Sequence, residues 1–345
     1  MKKKIRHYAN KLLALLLSSA VVLILLALGE IYCRYFTRVN FLDNTSGLFT
    51  AKRFGNSYGN TPNFSGISFG AEFQTDEEGL RIVKNASQPD SKSQPSILVM
   101  GDSVVFGPAL DAAETIPGRL QAMMPDRTVM NAGVIGYDTT DYLNATRYFV
   151  DRHPEIDTVL LFVCLNDVND ESASEIRGNI ERRTDGPQAV ANPLRLANDF
   201  LRSRSKLYLL LKNALVDTQK NYFDYDAAFY SRGPEFVAAA IRPVAELDRF
   251  LKSRNINLRV YLLPYEFQLR ASAGPDVMRP QSIILSALEA DGLKARDLTP
   301  DFTTAGIDPS LLFLYGDPMH LSSDGTLIAA ESVCRDLPDC KRKNR

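Results

Sequence analysis

The apolar run that ends in Gly101-Asp102-Ser103 is the first stretch of the chain that could do chemistry. In the segment 97–107, ILVMGDSVVFG, Ser103 directly follows a run that is typical of a buried strand. Ligands of open parallel sheets bind beyond the carboxyl ends of the strands, so a serine at that edge can meet a substrate. As a nucleophile it needs a base that removes its proton. As a structural residue it would be a helix N-cap, a common role for a serine after a strand.

A base for Ser103 has to come from a small set of side chains. The chain has three histidines, which are His7, His153 and His320. His7 belongs to the basic N-terminus, and His153 follows a predicted helix, where we expect a solvated turn or a helix-end role. His320 lies in YGDPMHLSSDG with Asp317 ahead of it, a spacing that lets the carboxylate accept the Nδ1 proton and leaves Nε2 as the base. The alternative is a loop histidine before a helix that Ser322 or Ser323 caps, and the two roles are compatible.

Acyl transfer also needs hydrogen-bond donors aimed at the negatively charged oxygen of its intermediate. The second apolar run ends in NAGVIGYDTT, where Gly133 and Gly136 can present backbone N–H groups at the same sheet edge. The third ends in VCLNDVND, which places the Asn166 amide just past a strand. Turn glycines and a loop-starting Asn-Asp pair are the alternative interpretations. Because each part follows a different predicted element, in an order that one sheet edge can assemble, we expect the parts to converge.

Apolar runs alternate with amphipathic stretches from residue 97 onward. This alternation predicts an α/β domain in which a parallel sheet is covered by helices on both faces. The predicted strands are 97–101, 128–132, 157–164, 258–263 and a shorter one near 294–298. The predicted helices include 114–124, 138–151 and 235–254. Residues 170–235 break the alternation, and we interpret them as an insertion over the top of the sheet that contains a helical pair.

The N-terminus predicts a membrane anchor. Residues 1–11 carry cations and no acid, and the uncharged run 12–29 is just long enough to cross a bilayer. The cations favour a cytoplasmic N-terminus, so a single-pass anchor over 12–32 would hold the chain in a cell membrane with the rest of it outside the cytoplasm. A cleaved signal peptide is the alternative and also exports the chain. Residues 33–95 are interpreted as a lead-in segment that ends in a linker at 85–95, and 341–345 as a solvated basic tail.

Composition and spacing narrow the possible partners. The 345 residues carry a formal net charge of −1, which gives no electrostatic case for a nucleic-acid partner. No His/Cys cluster has zinc spacing, no calcium loop or nucleotide loop is recognisable, and we expect neither a metal nor a cofactor. Cys334 and Cys340 could close a small disulfide loop or stay as two thiols. Cys164 lies in a strand-like run and is interpreted as a small buried residue.

Four of these segments, in order, resemble the signature blocks of the SGNH (GDSL-type) hydrolase superfamily. They are GDSVVFG, NAGVIGYDT, LND and DPMH, and the similarity covers about 97–331. The stretch FQTDEEGLRI is also similar to a lead-in of membrane-anchored bacterial members. The resemblance implies a flavodoxin-like three-layer α/β/α sandwich around a parallel five-stranded sheet, with a hydrolase domain over 96–340.

The resemblance also assigns roles to single residues. Ser103 is the expected nucleophile, His320 the base, and Asp317 the residue that orients the histidine. The Ser103 and Gly136 backbone N–H groups and the Asn166 amide are expected to hold the oxyanion. In one departure from the pattern, Cys164 stands where the family's third block has a glycine, so that a thiol could narrow the pocket or shift the strand end.

The leading hypothesis is an exported, membrane-tethered serine esterase that acts on an acylated small molecule or glycan, with acetyl esters on envelope or extracellular glycans as the expected substrate class. A second hypothesis keeps the same residues but transfers the acyl group to a glycan hydroxyl. A third, of a different class, is a catalytically silent scaffold or glycan-binding subunit of an envelope assembly. The sequence does not fix the oligomeric state.

Overall fold

The computed structural model describes residues 2–37, 39, 47–68, 70–82, 94–168, 174, 178 and 193–341. By their contacts the residues divide into two compact units. The helical unit comprises residues 1–42 and 191–216, and the sheet unit comprises 43–190 and 217–345. The predicted insertion at 170–235 is thus shared between them, since its helical pair belongs to the helical unit and its part from 217 onward to the sheet unit. The predicted linker at 85–95 and the basic tail lie almost wholly outside the described residues.

The elements of the described residues are short apart from the N-terminal helix. The strands are β1 (Phe49–Phe54), β2 (Ser57–Asn60), β3 (Ser65–Ser68), β4 (Ala71–Gln74), β5 (Ser96–Met100), β6 (Thr128–Asn131), β7 (Ile156–Val163), β8 (Asn257–Leu262) and β9 (Ala295–Asp297). The helices are α1 (Lys2–Phe36), α2 (Ser103–Phe106), α3 (Ile116–Met123), α4 (Thr139–Arg152), α5 (Pro193–Arg202), α6 (Lys206–Leu215), α7 (Thr218–Phe229), α8 (Pro234–Lys252), α9 (Arg279–Ala290), α10 (Thr299–Thr304), α11 (Pro309–Leu312) and α12 (Ser323–Cys334).

A parallel five-stranded sheet in the order β6-β5-β7-β8-β9 forms the centre of the sheet unit. Helix α4 packs on α8 and α8 on α9, whereas α3 packs on α12, which makes two helical layers. This is the predicted flavodoxin-like α/β/α sandwich, and the fold prediction is confirmed. The connection after β5 leads to its neighbour β6 on one side, and that after β7 leads to β8 on the other side, so the ligand crevice of such a sheet is expected between the ends of β5 and β7.

Burial on both faces explains why the strands could be predicted. Residues 97–100 of β5 and 159–161 of β7 have no exposed surface, so every side chain there has to be apolar and the strand appears as a continuous run. All five predicted strands begin and end within one residue of the observed ones, and the three named helices agree within two residues.

The lead-in segment forms two antiparallel hairpins, β1–β2 and β3–β4, which its sequence did not predict. Strands of four to six residues are too short to show a clear alternation, and most of their side chains are polar. Turns at Gly55 and Gly70, both with positive φ, close them locally. The structure therefore uses this segment as a folded part of the sheet unit.

Arg81, which follows β4, fastens the lead-in segment to the turn after Ser103. Its side chain is buried, with Nη1 donating to the carbonyls of Phe106 and Gly107 at 2.5 Å each and Nη2 to that of Leu110. The guanidinium also lies 5.0 Å from the ring centroid of Phe106. Burial lowers the pKa of Arg81 to about 10, although the charge of Asp111 acts in the opposite direction. The backbone that follows the candidate nucleophile is thus held by a cation from outside the sheet.

The structure decides between the two alternatives for Cys334 and Cys340 and agrees with the prediction for Cys164. Cys334 and Cys340 form a disulfide, with their Cα atoms 5.3 Å apart. Cys33 and Cys164 are free and buried. Since the disulfide closes a very short loop, we expect it to contribute only modestly to stability.

Helix α1 is the one helix of the described residues that is long and apolar enough to cross a membrane, over Arg6–Phe36. A signal sequence near an N-terminus meets the same test of length and composition. The run predicted from the sequence lies inside this helix.

His153 ends helix α4, as expected, and also contacts two carboxylates. Its backbone N–H donates to the Phe149 carbonyl at 2.9 Å, its Nδ1 lies 3.0 Å from Glu155, and its Nε2 contacts Glu78 of the lead-in segment. Burial alone lowers the pKa of His153, but hydrogen bonds and charges of Glu78 and Glu155 raise it above its ordinary value. The imidazole, whose protonated form the two carboxylates favour, therefore joins the lead-in segment to the end of α4.

We predict that this contact weakens as the pH rises. A folded-state pKa above the unfolded value of about 6.5 gives a stabilisation that is complete below that pH and is lost as the pH rises through the raised pKa. His153→Gln should lower the free energy of unfolding by up to about 1 kcal/mol at about pH 6 and by less at about pH 9. The thermal unfolding temperature, measured at both pH values, should fall accordingly. His7→Gln is the matched control, and an equal loss from His153→Gln at both pH values would contradict the prediction.

Candidate active site

Ser103 is the first residue of helix α2, directly beyond the carboxyl end of β5. The N-cap of this helix is Asp102, whose Oδ1 accepts the Val104 N–H at 2.9 Å, so the cap role proposed for the serine belongs to its neighbour. The Ser103 hydroxyl is thereby left for other partners. As the first N–H of a helix, the Ser103 amide has no acceptor within it and is suited to bind an anion.

His320 is held in a loop that closes on itself between α11 and α12. Phe313 and Leu321 form an antiparallel bridge, and the Leu314 N–H donates to the His320 carbonyl at 2.8 Å. The loop is followed at once by α12, whose N-cap is Ser322. A histidine in a loop that is closed on itself and capped by a helix has few ways to move.

The structure brings the three predicted catalytic side chains into one hydrogen-bonded chain. The Nε2 atom of His320 lies 2.8 Å from Ser103 Oγ, and its Nδ1 lies 2.7 Å from Asp317 Oδ2. The other carboxylate oxygen, Asp317 Oδ1, accepts the backbone N–H groups of Met319 and His320 at 3.0 and 2.8 Å. Asp317 is therefore oriented by its own loop before it orients the histidine.

Charges within this chain shift the pKa values of its members in opposite directions. Burial alone would raise the pKa of Asp317, but the charge of His320 and hydrogen bonds from its ring and the loop backbone lower it. Burial alone would lower the pKa of His320, but the charge and hydrogen bond of Asp317, with the charge of Asp102, raise it above its ordinary value. The site thus favours an imidazolium beside a carboxylate, the pair that forms when a serine gives up its proton.

Of the candidate oxyanion donors that follow β6 and β7, the structure orients the Asn166 amide and excludes the Gly133 N–H. Asn166 follows β7 in the turn Leu165–Val168, and its Nδ2 donates to Asp102 Oδ2 at 3.3 Å, which directs the amide toward the turn before Ser103. Gly133 does not offer its N–H, because that group donates to Asn131 Oδ1 at 3.0 Å. Gly136 lies in the following turn with a positive φ, and its contribution to the oxyanion stays a prediction.

Gly133 allows two backbone segments to pack closely. A β-carbon on it would lie 2.2 Å from the Phe106 backbone nitrogen, so the loop after β6 packs directly against helix α2. The Val134 N–H also donates to the Gly101 carbonyl at 3.2 Å. Close packing of two backbones at this point holds the loop that carries Gly136 beside the helix that carries Ser103.

Cys164, the departure from the family pattern, leaves Asn166 in place. The Cys164 N–H donates to Asp167 Oδ2 at 2.7 Å, which turns the chain at the strand end, and its thiol is buried. Burial, together with the charges of Asp102, Asp167 and Asp226, raises the pKa of this thiol. We infer that Cys164 fills space below the site as a neutral side chain.

Two residues that the sequence did not single out orient the Asn166 amide. The Tyr265 hydroxyl lies 3.2 Å from Asn166 Oδ1 and 2.7 Å from Asp226 Oδ2, and both Tyr265 and Asp226 are fully buried. The hydroxyl has one proton for these two acceptors, and when it donates to Asn166 Oδ1 it fixes which end of the amide is NH₂ and turns that end toward Asp102. Tyr265 comes from the segment after β8 and Asp226 from α7, so three distant segments define the direction of one side chain.

Tyr222 lies on the same helix as Asp226 and closer to solvent. Its ring centroid is 6.2 Å from that of Tyr265. Burial and the charges of Asp226, Asp317 and Asp102 raise the pKa of Tyr222, which keeps its hydroxyl neutral as a hydrogen-bond donor. Because it combines partial exposure with these neighbours, Tyr222 is a candidate contact for a bound substrate.

A weak signal for these helix residues was present in the sequence. Tyr222, Phe223, Asp226, Phe229 and Tyr230 recur at helical spacing and share one face of α7, which is apolar and aromatic except for one carboxyl. A buried carboxyl on such a face is costly without partners and so indicates a function. Tyr265 gave no comparable signal, because its position depends on how the chain turns after β8.

Among the described residues, no group of three or more His, Cys, Asp or Glu side chains is arranged to hold a metal ion.

We predict that covalent labelling of Ser103 by a fluorophosphonate depends on the protonation state of His320. The labelling rate should rise with pH as the imidazole loses its proton, with a midpoint above about 6.5 because the pKa of His320 is raised. Asp317→Asn removes the charge that raises this pKa, so the midpoint should shift to lower pH and the plateau rate should fall. His153→Gln is the control and should leave the midpoint unchanged. An unshifted midpoint in Asp317→Asn would contradict this account of the pair.

We also predict a positioning role for Tyr265. Tyr265→Phe should lower kcat roughly five- to tenfold in the hydrolysis of p-nitrophenyl acetate with little change in KM, since one orienting hydrogen bond of about 1 kcal/mol is lost. Asn166→Ala should cost roughly 10²–10³-fold. If Tyr265 acts through Asn166, the double variant is no slower than Asn166→Ala alone. Additive losses would show a general structural role, and Tyr261→Phe, a buried tyrosine stacked on Phe162, is the matched control.

Among known proteins, the chain is similar in fold to several solved structures. No protein-family model matches the chain, and no curated protein matches it. A lipolytic protein of the G-D-S-L family from Veillonella parvula is 11% identical, with a TM-score of 0.40, over 70% of this chain and 96% of that one. An acetylxylan esterase from Geobacillus stearothermophilus, a catalytic mutant, is 16% identical, with a TM-score of 0.42, over 73% and 99%. A lipase/acylhydrolase from Enterococcus faecalis is 14% identical, with a TM-score of 0.40, over 73% and 100%. At these values the activity has to be argued from the site itself.

Proposed function

We propose that this protein is a serine esterase that hydrolyses O-acyl esters. The observation that supports the proposal most directly is the chain of hydrogen bonds from Ser103 Oγ through His320 to Asp317, with distances of 2.8 and 2.7 Å. A hydroxyl, an imidazole and a carboxylate in this order are the parts needed to activate a serine. Their convergence at the strand-end crevice, where α/β sheets bind ligands, adds a second argument.

In the proposed reaction, Ser103 Oγ attacks the ester carbonyl carbon while its proton passes to His320 Nε2. The carbonyl oxygen becomes an oxyanion, which the Ser103 N–H, the Gly136 N–H and the Asn166 amide stabilise. His320 then gives its proton to the leaving alcohol as the ester bond breaks, which leaves an acyl group on Ser103. Water repeats the sequence: His320 takes one of its protons, the acid leaves, and Ser103 regains its hydrogen.

Asp102 affects the resting state of the nucleophile. The Ser103 hydroxyl lies 3.1 Å from Asp102 Oδ2 and 2.8 Å from His320 Nε2, but it has one proton to donate. Donation to the imidazole is the productive arrangement. The Asn166 amide, as a second donor to Asp102 Oδ2, competes with the hydroxyl for that oxygen and so favours the bond to His320.

The position of the N-terminal helix supports an extracytoplasmic location for this activity. The cations of residues 1–11 precede the apolar run of α1, which favours a cytoplasmic N-terminus and an exported sheet unit. Acyl esters outside the cytoplasm are found on envelope and extracellular glycans, so we propose acetylated glycans as the substrate class. Transfer of the acyl group to a glycan hydroxyl uses the same residues and differs only in what attacks the acyl-enzyme.

The proposal predicts that Ser103→Ala loses both fluorophosphonate labelling and ester hydrolysis. Removal of the nucleophile should lower kcat by roughly 10⁴-fold or more, because no other group forms the covalent intermediate. The full chain in detergent would be tested with the probe, followed by a panel of acyl esters that includes acetylated xylo-oligosaccharides. Release of free acid identifies an esterase, and acylation of an added glycan identifies a transferase.

Ser253→Ala is the matched control, since this exposed serine lies at the end of α8. It should label and hydrolyse as the natural chain does. Wild-type hydrolysis by Ser103→Ala would overturn the mechanism. An unlabelled natural chain that still binds acetylated glycan would show the catalytically silent alternative instead.

A further inference from the structure

Helix α6 of the helical unit carries an apolar stripe that is largely uncovered. Leu207, Leu211, Ala214 and Leu215 are spaced so that they share one helix face. Leu211 is 47% exposed and Leu215 is 84% exposed. In an aqueous surrounding, large apolar side chains in a contiguous stripe indicate a surface that meets an apolar partner.

The stripe begins where the apolar run of α1 ends. A β-carbon on Gly29 would lie 3.0 Å from Leu207 Cδ2, so the two helices touch at this glycine. Glu30 of α1 holds the first turn of α6, because its carboxylate accepts the backbone N–H groups of Lys206 and Leu207 at 3.2 and 3.0 Å. The first residues of α6 are therefore fixed beside the last turn of the candidate membrane span.

The direction of α6 follows from the same contacts. The Arg204 carbonyl accepts a hydrogen bond from Arg34, whereas Leu207 meets Gly29, so α6 starts by running against α1 and back toward its apolar segment. The side chains of that segment on the same helix face as Gly29 remain exposed, Leu25 by 62% and Val22 by 53%, which shows that α6 diverges from α1 beyond Gly29. The stripe thus points away from the axis of α1, starting beside the last turn of its apolar run.

The charge of this segment suits an anionic lipid surface. Residues 193–216 contain one acid, Asp199, and the five cations Arg195, Arg202, Arg204, Lys206 and Lys212. The guanidinium of Arg204 lies 4.8 Å from the ring centroid of Phe200, which is itself largely exposed. Basic groups beside apolar and aromatic ones are typical of helices that lie in the membrane interface.

We propose that α6 is an interfacial helix whose stripe, Leu207, Leu211, Ala214 and Leu215, lies at the boundary between lipid headgroups and acyl chains. This inference rests on the proposed anchoring by α1. The chain then has two contacts with the bilayer, a spanning helix and a helix in its surface. In this proposal the chain leaves the membrane surface at the end of α6. Helix α7 begins soon afterwards, at Thr218.

The full chain in vesicles of phosphatidylcholine and phosphatidylglycerol tests the proposal. An environment-sensitive fluorophore is attached to Leu211→Cys, Leu215→Cys or the control Asn213→Cys on the other face of α6, with the natural chain as the labelling blank. Lipids that carry a nitroxide near the headgroup should quench the labels at 211 and 215 severalfold more strongly than the label at 213. A label at Leu23→Cys should instead be quenched best by lipids with the nitroxide in mid-chain.

The outcomes separate this inference from the proposed anchor. If the label at 23 is quenched and those at 211 and 215 are not quenched more than that at 213, the anchor stands and the interfacial helix is wrong. If the label at 23 is not quenched either, both are wrong. Oxidative dimers of Leu215→Cys without lipid quenching would show that a second copy of the chain covers the stripe.

A measurement on the natural chain guards against variants that fold poorly. Photolysis of vesicles that contain a diazirine phospholipid should place adducts on residues 207–216 as well as on 12–29. Adducts on 12–29 alone would overturn the interfacial position of α6.

Discussion

The candidate site depends on one hydrogen bond, between the Ser103 hydroxyl and the His320 imidazole, whose residues are 217 positions apart in the chain. Ser103 is fixed by the buried end of β5 and by a turn that Asp102 caps. His320 is fixed by a loop closed at Phe313 and Leu321 and followed by a capped helix. Because proton transfer fails when the reacting groups are misplaced by about an ångström, both ends need rigid supports, and each is supplied by its own element of the sandwich.

Negative charge around the imidazole sets the electrostatics of the site. Asp317 and Asp102 raise the pKa of His320, and burial together with the charge of Asp102 raises the pKa of Asp167 below them. Such charges stabilise an imidazolium but oppose a developing oxyanion. Neutral donors therefore have to face the oxyanion, and the Asn166 amide is the one whose direction the structure fixes through Tyr265. A carboxylate-rich site can bind an oxyanion only where such donors stand between the charges.

Residues whose positions follow from local sequence could be predicted, and those whose positions depend on distant contacts could not. Ser103, Asp317 and His320 could be placed because each lies at a strand end or in a short loop whose spacing has a direct chemical meaning. The five sheet strands could be placed because burial on both faces leaves an unbroken apolar run. The hairpins of the lead-in segment could not, since their short, polar strands are stabilised by packing and by contacts such as that of Arg81 with the Phe106 carbonyl.

The dependence of Asn166 on helix α7 makes the insertion part of the candidate machinery. The hydrogen bonds of the Ser103–His320–Asp317 chain come from the end of β5 and the loop 313–321, and α7 contacts that loop through Thr218, whose hydroxyl donates to the Gly316 carbonyl at 3.1 Å. Helix α7 also supplies Asp226, whose carboxylate at 2.7 Å holds the Tyr265 hydroxyl in place beside the Asn166 oxygen. Tyr222 on the same helix is partly exposed, and its ring centroid lies 6.2 Å from that of Tyr265, so α7 also presents a side chain that a bound substrate could reach. We therefore expect changes in α7 to alter the rate of the chemical step through Tyr265 and the choice of substrate through Tyr222.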